Sequence, residues 1–104
     1  MKEIRIDVGV CTAVTINLEN VDFTGVDKVI LTVKNFADHK APAIIEREFT
    51  EAKSETIIIT PEESIQLREN AVYDFNKVLT DGTRLKITKN GKIILRKGVG
   101  DCID

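Results

Sequence analysis

Val, Ile and Thr supply 34 of the 104 residues, while Leu and Ala supply six each. Branching at Cβ restricts χ1 in a helix but suits the pleated surface of a sheet, so such a chain is built from strands. The apolar residues also alternate, as Ile4, Ile6, Val8, then Val14, Ile16, Leu18, then Val29, Leu31, Val33. That period of two places each set on one face of a strand. It predicts strands over 3–9, to about 19, and over 27–35, with polar turn chemistry at 20–25. Further strands are expected at 43–49 and 56–60. Glu46, Arg47 and Glu48 mark the fourth as an edge strand, since charge discourages stray pairing. The run Ile57-Ile58-Ile59 suits a buried central strand.

One helix signal stands out. Thr60-Pro61-Glu62-Glu63 reads as an N-cap, proline at N1 and glutamate at N3, a capping box. It opens a short helix over about 61–68, with Ile65 and Leu67 facing the core.

The last third reads as a meander over 71–79, 83–89 and 92–97. A three-residue loop at Thr80-Asp81-Gly82 aligns Phe75 with Ile87 and Leu79 with Thr83. A similar loop at Lys89-Asn90-Gly91 would pair Leu85 with Leu95 and Ile87 with Ile93, with Gly91 left-handed. That register gathers the apolar residues on one face, and a slip of one residue would scatter them. The inward set is then Tyr73, Phe75, Leu79, Leu85, Ile87, Ile93 and Leu95.

Seven or eight short strands with one connecting helix predict an all-β, immunoglobulin-like sandwich in a single domain, 1–104. Tyr73 opens a strand after a crossover, the place of a tyrosine corner, although the chain has no Trp. No apolar run exceeds three residues, so no membrane helix is expected. The alternating charges of the first seven residues suit a strand and not a signal peptide.

Candidate chemistry is sparse. His39 is the only histidine and sits in an expected loop. A Cys11–His39 thiolate pair has nothing in the sequence to bring it together. Glu46 with Glu48 reads as a solvated edge, and Glu62 with Glu63 as capping. Cys11 and Cys102 lie in no CxxC, so a zinc site lacks ligands. They read as idle thiols in a reducing cytoplasm, with a disulfide clamping the termini as the alternative. The expectation is a chain with no catalytic residues, no metal and no cofactor.

Charge is more informative. From Gly82 to Gly100 there are six basic residues and no acid, while Glu46 to Glu63 carries six acids against Arg47 and Lys53. Arg84, Lys86, Lys92 and Arg96 share the outward face in the expected register and form the candidate interaction face. Beyond a solvated surface, such segregation suits contact between subunits, acid meeting base. The ribbon has no interleaved aromatic to stack on bases, which argues against nucleic acid. A carbohydrate- or cell-surface-ligand module is a second reading, with Phe23 and Phe36 as its available loop aromatics.

The stretches DFTGVDKVILTVKN (22–35), TPEES (60–64) and AVYDFNKVLTDGTRLKITKNGKIILRKG (71–98) together resemble the small immunoglobulin-like domains of tailed-phage and prophage structural proteins. The likeness is to the N-terminal domain of phage baseplate upper proteins. It implies a non-enzymatic part that acts through contacts with itself or other virion proteins. The place it implies is a virion, or bacterial cytoplasm when expressed from a prophage. Baseplate upper proteins continue into trimerisation and attachment regions, which have no counterpart in these residues.

Overall fold

A computed structural model of the chain describes residues 3–36, 40–87 and 91–97. The elements are β1 (Ile4–Val8), β2 (Thr12–Asn17), β3 (Val26–Lys34), β4 (Ala43–Phe49), β5 (Ser54–Ile59), α1 (Pro61–Ser64), β6 (Val72–Leu79), β7 (Arg84–Lys86) and β8 (Gly91–Lys97). One sheet has the order β1-β8-β6-β3-β4, with β7 also on β6, and β2 pairs with β5 in a second sheet. This is an all-β sandwich. Its larger sheet has the C–F–G pattern of immunoglobulin-like folds extended by β4, and its smaller sheet corresponds to strands B and E.

The alternation read from the sequence becomes the core. Ile6, Val29, Leu31, Val33, Ile45, Ile59, Tyr73 and Ile93 are buried between the sheets. Each fully buried aliphatic side chain contributes roughly 1.5–3 kcal/mol by leaving water. Strand β4 is an edge, as its charges suggest, and pairs only with β3 among the described residues. Its Arg47 points inward opposite Leu31.

The capping box forms as expected. Glu63 N–H donates to Thr60 Oγ1 at 3.2 Å, and Thr60 N–H donates to Glu63 Oε1 at 3.0 Å. The helix is shorter than expected and stops at Ser64. Ser64 is fully buried; its Oγ accepts from Gly9 N–H and donates to Pro61 O, both at 2.9 Å. A buried hydroxyl with both roles satisfied pins the crossover to the turn after β1. With the helix ended, Ile65 turns out to solvent at 63% exposure and Leu67 alone packs inward.

The Thr80-Asp81-Gly82 turn has the expected register. Leu79 N–H bonds Thr83 O, and Ile87 N–H bonds Phe75 O, both at 2.8 Å. Gly82 takes φ +92°, the left-handed position that a three-residue hairpin loop requires.

The next expected hairpin is corrected. Strands β7 and β8 do not pair with each other; both lie along β6. Ile87 stands opposite Phe75, while Gly91 stands opposite Tyr73. The register has therefore advanced by two residues along one continuing edge. Gly91 opens β8 in the ladder and is not a turn residue. Lys89 and Asn90 of the expected loop lie outside the described residues. Beyond Gly91, β8 pairs in parallel with β1, Ile4 beside Ile93 and Ile6 beside Leu95. Ile93 and Leu95 still face inward, but their partners come from the first strand. Leu85, expected inside, is 42% exposed, because β7 pairs only with β6 among the described residues, at the sheet margin.

Two smaller corrections concern β5 and Cys11. Strand β5 lies in a two-stranded sheet, so Ile57 and Ile59 face the core while Ile58 is 50% exposed. Cys11 is disulfide-bonded and is not an idle thiol. The chain's only other cysteine, Cys102, lies outside the described residues.

Candidate interaction face

Pairing decides which side chains leave the larger sheet on its outer side. Tyr73 and Phe75 of β6 pack inward, so Val72, Asp74, Asn76 and Val78 face out. Arg84 lies opposite Val78, Lys86 opposite Asn76 and Lys92 opposite Val72. Arg96 follows by alternation from Lys92 and lies beside Asp7 of β1. All four cations singled out from the sequence are exposed on one face. They come together through β6 and not through the hairpin first expected to unite them.

The parallel pairing adds Arg5 of β1, beside Ile94. Sequence reasoning missed this residue, because nothing local in the first strand announces its partner at the other end of the chain. The face is thus Arg5, Arg84, Lys86, Lys92 and Arg96 around half-buried Val72, Val78 and Ile94. Ile30 and Thr32 of β3 continue this floor at 7% and 3% exposure. Lys89 lies outside the described residues, as does the side chain of Lys97.

Lys86 Nζ lies 3.8 Å from Asp74 Oδ2, and Asn76 Nδ2 donates to Asp74 Oδ1 at 3.1 Å. Arg5, Arg84, Lys92 and Arg96 make no ion pair among the described residues. Their charge is turned to solvent.

The acidic segment lies around edge strand β4, the β4–β5 turn and α1, and its Glu46 and Glu48, opposite Thr32 and Ile30, share the outer face with the cations at the other edge of the sheet. Its cations are engaged locally. Lys28 Nζ meets Glu48 at 2.7 Å, Lys53 lies 3.3 Å from both Glu51 and Glu55, and Arg47 Nη2 meets Glu63 Oε1 at 2.6 Å. The bond to Glu48 holds the Lys28 ammonium above its ordinary value, and bonds to Glu55 and Glu51 do the same for Lys53. Partial burial pushes the Glu63 carboxyl up, but hydrogen bonds from Arg47 and Thr60 outweigh it and hold the group below its ordinary value. Glu46 and Glu62 are exposed with no ion pair among the described residues.

The other sequence candidates are dispersed. His39 lies outside the described residues. The disulfide at Cys11 removes it as a thiolate partner for any base. Glu63 caps α1 and binds Arg47, as expected for a capping residue. A groove of about 700 Å³ opens between β1 and β2. Ile4, Val14, Ile16 and Phe75 line it, and its charged groups are Glu3 and Arg5. Phe36 is 61% exposed, whereas Phe23 packs against the core. No helix among the described residues is long and apolar enough to cross a membrane.

No family model matches the chain, and no curated protein matches it in sequence.

Proposed function

We propose that this chain is a non-enzymatic structural protein of the tailed-phage or prophage kind, acting through protein–protein contacts made by its basic outer face. The observation that carries the reading is the face itself. Five cations, four of them without an ion pair among the described residues, surround a floor of Val72, Val78 and Ile94. Apolar floor with a charged rim is the composition of a protein contact. A nucleic-acid reader would want aromatic stacking platforms among the bases, and this face has none. The disulfide at Cys11 suits an oxidising environment, which favours a released virion over a lasting cytoplasmic role.

The test is composition of particles. Particles made by the organism that encodes the chain are banded on a density gradient and their proteins quantified by mass spectrometry. The expected result is this chain in fixed ratio to the major particle proteins. A chain confined to the soluble fraction contradicts the reading.

A second reading, a carbohydrate- or cell-surface-ligand module, rests on exposed Phe36. A glycan array probed with wild type and Phe36→Ala tests it; glycans bound only by wild type would favour it.

A further inference from the structure

The larger sheet separates charge between its two edges. On strands β1, β7 and β8 the outer face carries Arg5, Arg84, Lys86, Lys92 and Arg96, against Asp7 on the same strands and Asp74 beside Lys86. Across the sheet, the β4 flank carries Glu46, Glu48, Glu51, Glu55, Glu62 and Glu63 against Lys28, Arg47 and Lys53. The cations gather on the β1–β8–β7 side and the carboxylates around β4, with Glu46 and Glu48 on the same outer face as the cations at its other edge. The strand order puts β1 and β4 at the two ends of one sheet, so Arg5 and Arg96 lie far across the sheet from the β4 carboxylates.

We infer that a second copy of this chain is a partner of the basic face, docking through its β4–α1 flank in a head-to-tail contact. This rests on the contact-protein reading above and adds the partner and its surface. The charge arrangement also disfavours one two-fold geometry. A two-fold contact of basic face on basic face would oppose five cations to five. A heterologous contact sets surplus against surplus and leaves one unused surface at each end, so it continues into a ring or an open chain. Salt strongly screens such a contact, because the Debye length falls from about 30 Å at 0.01 M to about 3 Å at 1 M.

Two variants isolate the two surfaces. Arg84→Glu/Arg96→Glu reverses the basic face, and Glu46→Lys/Glu62→Lys reverses the acidic flank. All four side chains are exposed, and circular dichroism melting checks that both variants stay folded. Sedimentation velocity is then run on wild type at low and high salt, on each variant, and on their equimolar mixture. Wild type should exceed the 11.6 kDa monomer at low salt and return to it at high salt. Each variant alone should be monomeric. The mixture should regain association, since each partner keeps one sound surface.

A monomeric wild type at low salt overturns the inference. So does an associating wild type whose variants also associate alone, or whose variants fail to pair when mixed. If wild type is monomeric yet found in particles, the self-contact alone fails. If the chain is absent from particles, the reading beneath it fails too.

Discussion

The ring of Tyr73 lies against Gly91, its partner across the β6–β8 ladder. A Cβ built on Gly91 would fall 2.6 Å from the Tyr73 hydroxyl oxygen and closer still to two ring carbons. Glycine is required there for space, and the ring covers backbone that a side chain would otherwise shield. Phe75 meets the same ring edge to face, with centroids 5.9 Å apart. Gly91→Ala should destabilise by about 1–3 kcal/mol through overpacking. Urea denaturation of Gly91→Ala, Tyr73→Ala and the double variant checks this as a cycle. The Gly91→Ala penalty should shrink once the ring is gone; an unchanged penalty would place its cause elsewhere.

Acid should weaken the crossover through Glu63. Its folded carboxyl is held below the ordinary value of 4.5 while the unfolded one is not. The contribution is therefore complete above the ordinary value and is lost as pH falls through the folded one. Glu63→Gln should cost about 1 kcal/mol at neutral pH, and Thr60→Ala a similar amount through the lost cap. Stability of Glu63→Gln should fall less steeply than wild type below about pH 4.5. Denaturant titrations at several pH values measure the difference.

Core and surface isoleucines should separate sharply. Ile6 is fully buried while Ile65 is 63% exposed. Ile6→Ala should cost about 2–5 kcal/mol and Ile65→Ala less than about 0.5 kcal/mol. Melting temperatures of the two variants would show the ranking directly.

The disulfide at Cys11 should contribute about 2–5 kcal/mol by restricting the unfolded chain. Cys11→Ser should match wild type measured in reductant. If reductant leaves wild-type stability unchanged, the bond does not constrain the unfolded state.

Local patterns in this sequence were readable because local physics decides them. The capping box needed only Thr60, Pro61 and Glu63, and the Gly82 turn only the spacing of Phe75 and Ile87. Faces were also readable, since alternation assigns Ile93 and Leu95 to the core whoever their partner is. That same indifference hid the partner. Ile4 and Ile6 satisfy Ile93 and Leu95 as well as Ile87 and Leu85 do, and periodicity cannot choose between them. Asn90-Gly91 resembles a hairpin turn, but the reason for Gly91 is the Tyr73 ring across the ladder, a contact between residues 18 positions apart. Arg84, Lys86, Lys92 and Arg96 share one face because their parity is the same along either route. Arg5 was missed because it joins only through the parallel β1–β8 pair.

In the proposed function, the basic outer face makes the contacts by which the chain is built into a particle. The most direct measurement replaces the wild-type chain with Arg84→Glu/Arg96→Glu in particle-producing cells and quantifies it in the banded particles. The variant, folded and expressed at the wild-type level, is expected to move from the particle fraction to the soluble fraction. Incorporation equal to wild type would contradict it.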